Sequence, residues 1–348
     1  MIRVIETPSE FDAIKPIWEK LEVASEARIF QTYLWCRLAW KIFSGSTLGG
    51  SLWILMWESN SDLEDVILPT YIDDKGALRY IFDNSSDTCD AVCIANVNHN
   101  LAFSEFAKKI KAERRIKCVR LQKMSSESVA LNYFGVLLKG AIVGKDNAYS
   151  WLDIEPCDDF IAAQHHMKSK DRSDLKCLKR KCDVYSLQVL SCANKDDFPA
   201  SEFENLRDDM RATGRRSNGY FNDQSIEFVH HLYMSGRCDV AMLSRDGHVI
   251  AMNVILRTKK RLLSWVFLYS DPRASTALYL KLFCEYNFHP PFVFDFGVGV
   301  YSYKIGTFRP FTTVTFSLRY GKGILRQIIE GVGMVLRFTK DYIKVIRC

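Results

Sequence analysis

No stretch of this chain approaches the roughly twenty uninterrupted apolar residues that a membrane-spanning helix requires. The opening residues, Met1-Ile2-Arg3-Val4-Ile5-Glu6, also lack the apolar core of a secretion signal, so the expected location is the cytoplasm. The eleven cysteines make no disulfide framework, since their count is odd and their spacings irregular, and reduced core thiols are expected. Zinc spacing is missing too. Cys89 and Cys93, or Cys177 and Cys182 with His165 and His166, could open a site, but no second pair completes either, and no metal is expected. Sustained heptads and recognised nucleic-acid motifs are absent, and the net charge of +6 is too small an excess to argue for DNA.

What the chain does have is enough apolar sequence, 48% of 348 residues, to fill two cores of middling size. Residues 2–5 read as a strand. A helix capped by Ser9 follows, with Phe11, Ile14, Ile17, Trp18 and Leu21 at helical spacing, then a second carrying Tyr33, Leu34, Trp35, Leu38 and Trp40. After Gly49-Gly50, residues 52–57, 66–72 and 78–82 read as strands. The same order returns after a basic stretch. A strand is expected over 184–190, helices over 202–210 and 226–234, and strands over 240–243, 249–256 and 262–269, with a hairpin turn at Asp246-Gly247. A helix over 276–286, a buried strand over 292–296, a short helix through Tyr303 and a strand through Val314 and Phe316 complete it.

The run from Phe294 to Lys304 is the candidate active site. It places Asp295, Gly297, Gly299, Tyr301, Tyr303 and Lys304 where a strand becomes a helix, and glycines there leave backbone N–H groups unshielded beside a helix start. A carboxylate at a buried strand end either accepts a proton or caps the next turn. Tyr301 and Tyr303 are two apart, so at most one of them faces a given point on the helix axis. Arg211, Arg215, Arg216, Gly219 and Tyr220 make a basic, glycine-punctuated loop. Residues 168–181 form a basic amphipathic helix, expected to bridge the domains, and the last thirty or so residues form another.

The order of elements, with three stretches of residues, resembles the GNAT acyltransferase fold in its tandem form, within the FemAB-like and CelD-like group. The stretches are Phe30-Gln31-Thr32 with Trp35 and Trp40; Ser169-Lys170 with Arg172, Leu175, Leu178 and Arg180; and Asp295, Gly297, Gly299, Tyr303 and Lys304. The resemblance implies an α/β (α+β) chain of two GNAT-like domains, each a mixed, largely antiparallel sheet flanked by helices. Residues 1–157 would form a domain without its own cofactor, and 158–348 a domain with the acyl-CoA site and a basic tail.

It further implies a cytoplasmic N-acyltransferase that moves an acetyl or short hydroxyacyl group from coenzyme A to the amine of a nucleotide-linked amino sugar, for lipopolysaccharide O-antigen or capsule. Coenzyme A would lie between the strands at 262–269 and 292–296, against Phe267, Leu268, Tyr269, Arg273, Ser275, Thr276, Ala277, Leu278 and Lys304. No glycine-rich pyrophosphate loop is present there. Asp295 would serve the amine and Tyr303, or Tyr301, the departing thiolate. Trp35, Arg172, Arg180, Arg215, Arg216 and Tyr220 would meet the acceptor. The alternatives are a FemAB-type transferase that uses aminoacyl-tRNA, and a noncatalytic protein that binds a membrane or polyanion through its tail. Intramolecular docking is the commonest fate of such a tail, with peripheral membrane contact or self-association as its alternatives.

Overall fold

Thr7, not Ser9, starts the first helix in the computed structural model, which describes residues 1–25, 27–59, 64–94, 98–155, 157, 159–194, 196–258, 260–285, 292–299 and 306–334. The Thr7 hydroxyl accepts the Glu10 N–H at 3.2 Å while the Glu10 carboxylate accepts the Thr7 N–H at 3.0 Å, a reciprocal cap. The chain divides into two units, Met1–Ala148 with Val314–Cys348, and Tyr149–Thr313.

In the first unit, α1 (Pro8–Ala13), α2 (Lys15–Ser25) and α3 (Tyr33–Phe43) follow β1 (Ile2–Ile5). The stretches expected as single strands over 52–57 and 66–72 each divide in two. They become β2 (Gly50–Leu52) with β3 (Ile54–Trp57), and β4 (Val66–Leu68) with β5 (Thr70–Asp73). Pro69 has no N–H for a ladder, and the chain crosses there, with the Thr70 hydroxyl donating to Trp53 O at 2.7 Å. One sheet runs β1-β3-β4; the other runs β2-β5-β6-β7-β14, with β6 (Ala77–Tyr80), β7 (Cys118–Met124) and the part of β14 (Phe311–Gly321) from Val314 onward. The core beneath includes Phe103, Phe106 and Ile110 of α4 (His99–Ala112) and Phe134 of α5 (Val129–Leu137).

In the second unit the strand order is β8-β13-β12-β11-β10-β9. These are the part of β8 (Ile142–Ile154) from Tyr149 onward, β13 (Phe292–Val298), β12 (Arg261–Tyr269), β11 (His248–Arg257), β10 (Cys238–Arg245) and β9 (Ser186–Leu190). All neighbours run antiparallel except β12 and β13. Asp246 and Gly247 take φ of +51° and +80°, as a two-residue hairpin turn of the expected kind requires. Its helices include α6 (Phe160–Ala163), α7 (Ser169–Lys181), α8 (Ala200–Ala212), α9 (Asp223–Met234) and α10 (Ala274–Glu285).

The expected domain limits change in two respects. The C-terminal segment from Val314 groups with the first unit, because β14 pairs with β7 from Phe316↔Met124 to Gly321↔Cys118. The basic helix α7 lies within the second unit, where Leu175 packs into the same core as Leu278, Leu282 and Phe283 of α10. A final helix, α11, is described over residues 324–334.

Candidate active site

β12 and β13 share a register only at Arg261↔Val293, Leu262↔Phe294 and Leu263↔Asp295. Past that point β12 follows β11 as far as Ala251↔Tyr269, and β13 follows β8 through Gly297↔Ser150 and Val298↔Tyr149. Just beyond the last shared pair the register of each strand with its other neighbour shifts by one residue. Trp265 is skipped between Ser264 and Val266, and Phe296 between Asp295 and Gly297. An extra residue bends its strand and strengthens its twist, so two bulges at one level open a fork between the parallel strands.

The bulge on β12 is fixed by a buried polar network. Asn253 Nδ2 donates to Ser264 Oγ at 2.9 Å and to Val266 O at 3.0 Å, tying together the residues on either side of Trp265. Ser264 Oγ lies 2.6 Å from the Tyr279 hydroxyl on α10. The Tyr279 ring also meets Phe294 and Phe296 edge-on, at 6.0 and 5.2 Å, so α10 packs against both arms of the fork.

Asp295 sits at the apex. It is 2% exposed, and Arg261 Nη1 lies 3.2 and 3.4 Å from its two oxygens. Arg261 stands on the other arm, at the first shared pair, so this ion pair bridges the two strands diagonally across the stretch where they run together. Gly297 and Gly299 then take φ of +73° and +107°, backbone that favours glycine over residues with a side chain. Tyr301, Tyr303 and Lys304 lie outside the described residues.

The far end of β12 is latched by the loop after α8. Arg215 donates to Ser270 O and Tyr269 O and stands 5.9 Å over the Tyr269 ring, while the Tyr220 hydroxyl donates to Phe267 O at 3.4 Å. Arg216 stacks 4.7 Å from the Tyr220 ring. The expected acceptor residues Arg215, Arg216 and Tyr220 are thereby brought to the expected cofactor residues Phe267 to Tyr269. The Tyr269 N–H points at Met210 Sδ, 3.4 Å away, rather than along the ladder to β11. The two-residue repeat of a strand sets the Phe267 N–H on that same edge, facing the fork.

The start of α10 completes the rim, with fewer available groups than expected. The Ser275 hydroxyl donates to Pro272 O at 2.8 Å and is buried, so its proton serves the turn. The Ala277 N–H is held by Arg273 O at 3.3 Å, and the side chains of Ala277 and Leu278 are core. Helix geometry leaves the Ser275 and Thr276 N–H groups as first-turn donors. Arg273, its side chain 90% exposed, supplies a cation at this corner, 4.0 Å from the Asp271 carboxylate.

Other expected residues are elsewhere. Trp35 is fully buried in the first unit, edge-on to Phe30 at 4.8 Å. Arg172 donates to Met167 O at 2.6 Å and Gln164 O at 3.3 Å, which fixes the α6–α7 turn. Arg180 is exposed on α7. Arg261, Asn253 and Tyr279 were not foreseen, because their partners lie on separate strands and a helix and no local pattern announces them. Among the described residues, no group of three or more His, Cys, Asp or Glu could hold a metal.

The first unit has a comparable parallel pair, β6 and β7, in register at Ala77↔Cys118 and Leu78↔Val119. Here the chain after β6 folds back onto β7. The Cys89 N–H donates to Lys123 O at 2.9 Å, and Lys123 Nζ reaches Asn84 O at 3.2 Å and also Ser86 O. A polar cleft of about 240 Å³ lies in this unit, lined by Arg28, Gln31, Thr88, Asp90, Cys93 and Glu127 among others. It includes none of the residues around the β12–β13 fork.

Residues 169–305 match the family model of the acetyltransferase (GNAT) domain. No curated protein matches the chain. Among solved structures, a C-terminal domain designated as that of a lysylphosphatidylglycerol synthetase from Agrobacterium fabrum aligns with a TM-score of 0.57 at 14% identity, over 95% of this chain and 97% of that one. FemX aligns with a TM-score of 0.50 at 11% identity, over 90% and 96%. A tandem GNAT protein from the clavulanic acid biosynthesis pathway aligns with 0.50 at 10%, over 93% and 100%. The forked sheet and the helix start beside it agree with that match: the chain has the GNAT fold, and residues 169–305 are similar to the acetyltransferase (GNAT) domain.

Proposed function

We propose that the protein transfers an acetyl or short hydroxyacyl group from coenzyme A to the amine of a nucleotide-linked amino sugar destined for lipopolysaccharide O-antigen or capsule, in the cytoplasm. The observation that carries the proposal is the latch of Arg215, Arg216 and Tyr220 onto the end of β12, beside the fork. It sets Arg216, a cation suited to an acceptor diphosphate, next to the place where two diverging strands can admit a thioester. The fork, the Ser275 and Thr276 N–H groups and the exposed Arg273 fit the pantetheine arm and pyrophosphate of the donor.

Acyl-CoA supplies the activated acyl group. The neutral acceptor amine attacks the thioester carbonyl carbon, and the Phe267 N–H, directed into the fork, stabilises the oxyanion that develops there. Collapse breaks the carbon–sulfur bond, Tyr303 or Tyr301 returns a proton to the thiolate, and solvent takes the proton lost by the amine. Asp295 is a positioning residue in this scheme, holding the apex through Arg261. Arg215 is committed to backbone carbonyls and shapes the loop, so Arg216 is the better contact for the acceptor phosphates. The fold-back of residues 84–89 onto β7 supports a first domain that binds no acyl-CoA of its own.

Release of free thiol tests this. Turnover should be much faster with a nucleotide-linked amino sugar than with the free sugar, because the diphosphate contributes binding energy that orients the amine. Arg216→Ala should raise the acceptor KM and leave kcat near its starting value. Equal rates on the two acceptors, or transfer only from charged tRNA, would overturn the proposal in favour of another acceptor or donor.

A further inference from the structure

Helix α11 is docked by its polar side. Glu330, 1% exposed, accepts from Arg120 at 2.7 and 2.9 Å and lies 3.9 Å from both Arg319 and Arg326. Gly331 and Gly333 let the helix close in: an added Cβ would come within 3.1 Å of Ile142 and 2.8 Å of the Arg319 guanidinium. Ile324, Leu325, Ile328, Ile329 and Val332, by contrast, are 79%, 74%, 57%, 45% and 53% exposed. Their spacing puts them on one stripe of the helix. In the same unit Val136 of α5 and Val143 of β8 add 77% and 45% exposed aliphatic side chains.

A helix that turns its ionic face to the protein and an aliphatic stripe to water is inverted relative to an ordinary surface helix, and an exposed stripe of this size marks an interaction surface. We infer that this face lies on an anionic lipid surface, with α11 in the plane of the headgroups. The choice over a second copy of the chain rests on charge. Lys322 donates to Glu113 O and Arg326 faces Glu330, but beyond them the sequence holds Arg337, Lys340, Lys344 and Arg347 against Asp341 alone, and Lys139 and Lys145 are exposed in the same unit. A self-complementary interface would bring these cations face to face. Anionic headgroups attract them while the acyl boundary takes up the isoleucines and leucine.

Sedimentation with vesicles tests this on the full chain. The protein should pellet with phosphatidylcholine vesicles containing phosphatidylglycerol and stay in solution with phosphatidylcholine alone. Ile328→Glu should weaken pelleting by ~10-fold or more at an unchanged melting temperature, and Ile324→Glu, at the most exposed position, serves as a second variant should the first melt early. Added salt should release the protein. Failure to pellet with either vesicle would overturn the inference. So would a lipid-free dimer that Ile328→Glu dissociates, since a second copy would then cover the stripe.

Discussion

Gly297 and the Arg261–Asp295 pair are the residues on which the fork depends. An alanine at Gly297 must adopt left-handed backbone, which costs about 1–2 kcal/mol, and the strain falls where β13 leaves β12. Gly297→Ala should therefore lower the unfolding free energy by that amount in urea titrations and slow acyl transfer as well. Asp295→Asn tests whether the carboxylate positions or reacts. As a strand tie it should lower kcat/KM by a similar factor at acid and alkaline pH, and pairing it with Arg261→Met should add little further loss. A loss confined to one limb of the pH–rate profile would make Asp295 the base instead. Tyr279→Phe removes the hydroxyl from a buried network with Ser264 and Asn253, and a destabilisation of about 1–3 kcal/mol is expected, measured by the same titration.

Among elements, α3, α8, α9, α10 and the β10–β11 hairpin were legible because each carries its own periodicity and turn residues. The two bulges were not. Trp265 and Phe296 look like ordinary strand residues, and only the register with β11 on one side and β8 on the other shifts there. The Asp295 junction could be read from its glycines, but its partner Arg261 lies 34 residues earlier and is met only through the parallel register. For α11 the amphipathic pattern was visible, whereas the burial of its polar side depends on Arg120, far away in the chain.

That docking should depend on pH. Burial opposes the charge of Glu330, but the hydrogen bond and charge of Arg120 outweigh it and hold the carboxyl below its ordinary value of 4.5. A depressed carboxyl contributes stability that is present above its unfolded value and lost as pH falls through the folded one. The stability difference between the wild type and Glu330→Gln should accordingly be constant from pH 7 down to about 5 and shrink below the ordinary glutamate range. A difference that grows on acidification would contradict the ion-paired account of α11.

For the whole molecule, one unit is assigned the acyl donor and the other is not. Both contain a parallel strand pair, yet in the first unit the chain's own segment returns onto β7, while in the second the strands part with α10 opening beside them. Hydrogen exchange measured with and without acetyl-CoA separates the two directly. The account predicts slowed exchange at the Phe267–Tyr269 edge and in the first turn of α10, around Ser275 and Thr276, with β6 and β7 unaffected. Exchange unchanged throughout the second unit, or protection at β6 and β7 instead, would contradict it.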